Sequence, residues 1–236
     1  MMKVKITNIT AMMQKTLKNM IANKAIVFMT ILYPILALIF RMILPPEKYV
    51  EPLNSFYVMN ITMIPILVMS SIIAEEKEKG ILKYLIISGI SSNEYLIGTT
   101  FCVLVGILFS SMMYSIFLLP TKIYNMFTYL FISLLGTIPS TLLGCIIGIK
   151  TKSQVEVGAK AAPIAMAIGM LPMFKGENVF ADNIIKNIYS SVIFDYMGNN
   201  TKNNYFSSII VVVVNIIILA FLFSVVYKKS KLDENR

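Results

Sequence analysis

Carboxylates are scarce in this chain, and three of them crowd together. Glu75, Glu76 and Glu78 fall in the run Ala74-Glu-Glu-Lys-Glu-Lys-Gly80, out of 12 acidic residues in 236. Acid–base or nucleophilic work at neutral pH usually recruits a histidine, and the chain has none. That absence removes Ser-His-Asp and Cys-His nucleophile activation, histidine metal sites and histidine proton shuttles. The two cysteines, Cys102 and Cys145, lie inside apolar runs, so they read as buried free thiols and suggest neither a disulfide framework nor a zinc motif. Nucleotide chemistry lacks a site too. Gly144-Cys-Ile-Ile-Gly-Ile-Lys-Thr151 comes nearest to a phosphate loop, but its spacing departs from Gly-x-x-x-x-Gly-Lys-Ser/Thr. No catalytic, cofactor-binding or metal-binding residue is expected, and the chain reads as a non-enzyme.

Recognition is what the acidic run has left to do. It is followed by Ile81, Leu82, Leu85 and Ile86, a short apolar face bounded by Gly80 and by Ser88-Gly89. A charged turn leading into an amphipathic helix suits docking into a groove on a partner protein. A solvated loop with an interfacial helix is the plain alternative.

The elements that would carry this segment are membrane spans. The chain is 57% hydrophobic and 14% charged, with a mean hydropathy of +0.75. A soluble domain of this length needs more charge to cover its surface, so lipid is the expected solvent. Six stretches approach the ~20 apolar residues that cross a bilayer: Ala25–Leu44, Phe56–Ile73, Thr99–Leu119, Met126–Ile149, Val157–Met173 and Tyr205–Val226. The expected fold is all-α, one polytopic transmembrane domain over residues 1–236. Lysine and arginine accumulate on the cytoplasmic side of membrane proteins. With the N-terminus inside, 15 of the 21 basic residues fall on the cytoplasmic side, including Lys3, Lys18, Lys77, Lys152 and Arg236. Six fall outside: Arg41, Lys48, Lys122, Lys175, Lys186 and Lys202. Both termini are therefore expected in the cytoplasm. The +9 formal charge reads as a topology signal and as attraction to anionic lipid, not as a nucleic-acid footprint.

Between the spans the pattern is simple. Residues 1–24 form an expected interfacial elbow helix, with Ile6, Ile9, Met13, Leu17, Met20 and Ile21 at helical spacing. Pro45 to Pro52 reads as a proline-bounded external turn, and Pro120 to Asn125 as a tighter one. The external segment 174–204 is expected to hold one short helix, capped by Asp182 and ended by Gly198. Ile184, Ile185, Ile188, Val192 and Tyr196 would make its apolar face. Small residues recur every fourth position at Gly98, Cys102, Gly106 and Ser110; at Gly136, Ser140, Gly144 and Gly148; and at Ala161, Ala165 and Gly169. Such stripes let helices approach closely in lipid, within one subunit or across a subunit seam. Proton- or ion-coupled carriers keep a charge at midplane, and none is seen there in these spans; Arg41 sits near the outer end of the first and can snorkel to the interface.

The segment 74–98 resembles the coupling-helix signature of ABC-2 type transporter permeases. In that family the second span ends in acidic-x-acidic-x-Gly-Thr, then an apolar helix, a Val-Ser-Pro-like break and a re-entry near Gly-Lys. Glu76 and Glu78 match the acidic pair before Gly80, with Glu75 beside them. Leu82 and Leu85 match the helix, Ser88 the break and Gly98 the re-entry. Ile81 stands where threonine is usual, Lys83 where glutamate is common, Gly89 for proline and Thr99 for lysine. The resemblance extends to the layout of the whole chain. It implies a dimer, with a second copy or a homologous permease, and separate cytoplasmic ABC ATPase subunits that bind ATP and magnesium. The implied role is export of a hydrophobic or cationic peptide, drug or lipid, or immunity to one, across a bacterial cytoplasmic membrane. A passive channel or secondary carrier is the alternative. An intramembrane CAAX-type protease, which Glu75-Glu76 resembles, would need histidines.

Overall fold

A computed structural model describes residues 5–118, 126–176, 179–197 and 205–233. The expected turn at Pro120–Asn125, the stop at Gly198 and the charges of Lys3, Lys122, Lys202 and Arg236 lie outside those residues. Ten α-helices follow in chain order among the described residues: α1 (Ile6–Ala22), α2 (Lys24–Ile43), α3 (Pro46–Glu78), α4 (Ile81–Ile87), α5 (Ser92–Leu118), α6 (Met126–Lys150), α7 (Gln154–Met170), α8 (Val179–Ile185), α9 (Tyr189–Met197) and α10 (Tyr205–Asp233). A 3₁₀ turn, Leu171–Phe174, extends α7. The chain is an all-α polytopic membrane protein: six helices, α2, α3, α5, α6, α7 with its 3₁₀ turn, and α10, are long and apolar enough to span.

The second span is where the boundaries move. Residues 45–52 do not form the expected turn; α3 starts at Pro46 and runs 33 residues. Pro46 occupies the first helical position, where the missing N–H is an orphan anyway. Pro52 and Pro65 are absorbed inside the helix, as membrane helices often manage. At 1.5 Å per residue α3 is ~50 Å long, against a hydrocarbon core of ~30 Å. It therefore emerges from the bilayer, and its last turn carries Glu75, Glu76 and Glu78.

α3 is also the hub. Leu53, Tyr57, Ile61, Ile64, Met69, Ile72 and Ile73 are fully enclosed, and the helix packs against α2, α5, α6 and α7. Its closest approach is to α6. A Cβ at Gly144 would lie 2.7 Å from the Ile66 carbonyl oxygen, and one at Gly148 3.0 Å from that of Ser70. Gly136 meets the Ile61 side chain, and Ser140 shares a 2.8 Å hydrogen bond with the Tyr189 hydroxyl on α9. On α7, Ala161 and Ala165 are fully buried and Gly169 abuts Met63. On α5, Gly98 and Gly106 face Met12 and Met20 of α1, the Cys102 thiol donates to the Met13 carbonyl at 3.1 Å, and Ser110 accepts from Asn60 at 2.6 Å. All three stripes thus face helices of this chain, most loosely at Gly106, where a Cβ would meet only the Met20 methyl at 3.4 Å.

Two further elements differ from expectation. The segment after the fifth span holds two helices, α8 and α9, and Asp182 sits inside α8, where its carboxylate accepts the Gly176 N–H at 2.8 Å. The expected apolar face is split: Ile184 is exposed, while Ile185 and Val192 are buried. α9 does not rest on a surface but inserts among α3, α6 and α10, burying Tyr189, Ser190, Ser191, Val192 and Ile193. In α1 the face against protein is Met12, Thr16 and Met20, while Ile6, Leu17 and Ile21 of the expected apolar face turn outward.

Candidate coupling site

The site is built where α3 leaves the bilayer and the chain turns into α4. α3 ends at Glu78, and Gly80 follows with φ +68°. That left-handed conformation is what glycine supplies here; the Gly80 N–H closes the turn on the Lys77 carbonyl at 3.0 Å. A Cβ would meet nothing within 4 Å, so the requirement is conformational and not steric. α4 then makes two turns and stops at a second left-handed glycine, Gly89, φ +80°. The Ile90 N–H reaches back to the Leu85 carbonyl at 3.1 Å, the 6→1 bond of a Schellman cap. Ser88 closes on the Tyr84 carbonyl through both its N–H and its hydroxyl. A short helix is thus suspended between two glycine pivots.

Leu82 and Leu85 point back and pack near Ile90, Tyr95 and Tyr227. The opposite side presents Tyr84 and Ile87, 70% and 72% exposed. Neither was singled out by the sequence reasoning. Both stand on the same outward side of α4.

The three glutamates do different things. Glu76, expected to face a partner, is turned inward and is 1% exposed. Its carboxylate accepts from Lys15 of α1 at 2.6 Å and from the Tyr95 hydroxyl of α5 at 2.7 Å. Burial of the charge is tolerable because both oxygens are paired. Glu75 pairs with Lys79 one turn on, at 2.5 Å, and holds that ammonium above the ordinary lysine range. Glu78 is exposed and accepts the Gln154 N–H at 2.9 Å, tying the end of α3 to the start of α7. Lys77 reaches the Ile149 carbonyl at 2.9 Å, so the end of α6 is bound to the same corner.

A fourth carboxylate, Glu94, lies on the far side of α4. Ser91 and Glu94 form a capping box at the start of α5: Glu94 accepts the Ser91 N–H at 2.8 Å, and the Ser91 hydroxyl accepts the Glu94 N–H at 3.3 Å. Glu94 also accepts the Lys5 N–H at 2.6 Å and the Asn8 amide at 3.0 Å. Both roots of α4 are therefore pinned to α1. The Ser-x-x-Glu spacing was readable in the sequence as a helix start; Lys15 and Tyr95 carried no such signal.

Among the described residues no group of His, Cys, Asp and Glu is arranged to hold a metal ion. A family model described as ABC-2 type transporter matches residues 7–174, from α1 to the 3₁₀ turn. No curated protein matches the chain.

Proposed function

Since this chain belongs to the ABC-2 type transporter family, and is a multi-pass membrane protein, we propose that it is the membrane-spanning subunit of an ABC exporter. In this reading separate cytoplasmic ATPase subunits bind ATP and magnesium and dock on α4. The permease works with a second copy or a homologous permease, with both termini in the cytoplasm of a bacterium. Its cargo is a hydrophobic or cationic peptide, a drug or a lipid.

The observation that carries the reading is α4 itself, a helix hung between Gly80 and Gly89 with Tyr84 and Ile87 directed outward. A partner that grips this face pushes on both ends of α4. One end is continuous with α3, which touches four of the other five spans, so a small displacement there reaches most of the bundle. The other end is α5. In this reading the partner grips the apolar pair and not Glu76, whose carboxylate is turned inward.

The test is co-purification with a co-expressed cognate ABC ATPase. Tyr84→Ala with Ile87→Ser removes two exposed, desolvating side chains from the docking face, a loss of ~2–4 kcal/mol for a central contact. The pair should abolish co-purification while the permease still inserts. Full retention of the ATPase would remove α4 as the docking element. Substrate movement with no ATPase present would favour a passive channel.

A further inference from the structure

An open cavity of about 820 Å³ lies at the end of the bundle opposite α4, within the range of small-ligand sites. One wall is the start of α3, and the others are the 3₁₀ turn, the chain just after it, α8 and α9. Glu51, on the α3 wall, is ~40 Å along that helix from Glu78, so the cavity is remote from the docking corner. Phe56, Met173 and Phe194 give it an apolar lining.

The polar lining is one-sided. Three carboxylates, Glu51, Asp182 and Asp195, face a single ammonium, Lys175. Lys175 is paired with Asp195, and the Gly176 N–H is spent on Asp182 at 2.8 Å. Ser55 also lines the cavity and is only 8% exposed; its hydroxyl donates to the Glu51 carbonyl at 3.0 Å. What Ser55 has left to offer is a lone pair. Among the described residues the Glu51 carboxylate has no partner. The wall's donors are thus committed, while acceptors and negative charge remain. An apolar recess of this polarity suits a ligand with an aromatic or aliphatic body and a positively charged donor, which the faces of Phe56 and Phe194 also attract. We propose that this cavity binds an amphipathic organic cation, with its charge between Glu51 and Asp182 and its apolar body against Phe194 and Met173. As the site of a cargo it rests on the exporter reading and narrows the cargo to cations; binding by the isolated chain does not depend on that reading.

The chain has no tryptophan, so the fluorescence anisotropy of a tryptophan peptide reports the ligand alone. The permease, without any ATPase, is placed in nanodiscs of zwitterionic phosphatidylcholine and titrated with acetyl-Lys-Trp-Lys-amide or with its neutral counterpart, acetyl-Gln-Trp-Gln-amide. The cationic peptide should bind saturably and about tenfold more tightly, the effect of two partly exposed charge contacts. Glu51→Gln with Asp182→Asn should remove that preference, and the asparagine can still accept the Gly176 N–H. Lys175→Met should act in the opposite direction: it releases Asp195 and should tighten the cationic peptide about threefold, a gain that damage to the fold would not produce. The neutral peptide should bind all these forms alike, because the apolar walls are untouched. Equal binding of the two peptides, a preference that survives the double variant, or a Lys175→Met form that binds the cation no more tightly overturns the site.

Discussion

The contact between Lys15, Glu76 and Tyr95 makes an asymmetric demand on stability. The Glu76 side chain is 2% exposed and that of Lys15 31%. Replacing Lys15 with Met leaves a carboxylate that cannot reach water and retains one hydroxyl partner. Stranding a buried charge in this way costs about 3–5 kcal/mol. Replacing Glu76 with Gln leaves an acceptor for Tyr95 and a lysine that can turn outward. The loss there is that of a charge-assisted hydrogen bond, about 1.5–3 kcal/mol. At ~2–4 °C per kcal/mol for a chain of this size, thermal unfolding in lipid nanodiscs should fall by roughly 10 °C for Lys15→Met and roughly 5 °C for Glu76→Gln. The double variant has no stranded charge, so it should be no worse than Lys15→Met alone, with a coupling of ~1–3 kcal/mol in the double-mutant cycle. If Glu76→Gln costs as much as Lys15→Met, or if the two losses simply add, Glu76 is not held as described. It would then be free to meet a partner instead.

Other consequences can be checked alongside. Gly80→Val and Gly89→Val force a β-branched residue into a left-handed conformation at ~1–2 kcal/mol each or more, and should impair assembly with the ATPase; Gly80→Asn should be milder. Gly144→Leu should block insertion or lower thermal stability sharply, since its Cβ would sit 2.7 Å from backbone oxygen, whereas Gly106→Ala should lie within ~1 kcal/mol of wild type. Single cysteines at Lys18, Glu78, Ser153 and Lys231, in a background lacking Cys102 and Cys145, should be shielded from an impermeant thiol reagent in intact cells. Those at Lys48 and Asn187 should label; the reverse pattern would invert the orientation.

Much of the architecture was legible because lipid imposes a simple rule: a helix must present enough apolar residues to cross, and six runs do. The acidic run and Gly80 marked the turn into α4 for an equally local reason, since charge and a left-handed residue both leave a trace in composition. What the sequence concealed was direction. Glu76 looks like its neighbours until it is known that Lys15, on a helix 61 residues away, lies within reach. Proline misled at Pro52, because a helix with solvated or well-packed ends tolerates a missing N–H that a turn would also explain. The external segment read as one short amphipathic helix, yet α9 inserts into the bundle and buries Ser190 and Ser191 as well as Val192. The small-residue stripes were visible as stripes; which helix filled each of them depended on packing partners that spacing does not name.

The central claim is that a separate ATPase drives this chain through α4, and steady-state ATP hydrolysis in proteoliposomes tests it most directly. The chain alone should bind and hydrolyse no ATP. With the co-expressed ATPase, hydrolysis should rise on addition of the transported substrate, and Tyr84→Ala with Ile87→Ser should abolish that rise while leaving the ATPase's own basal rate intact. Nucleotide binding by the isolated chain, or undiminished stimulation with the α4 face removed, would contradict the account.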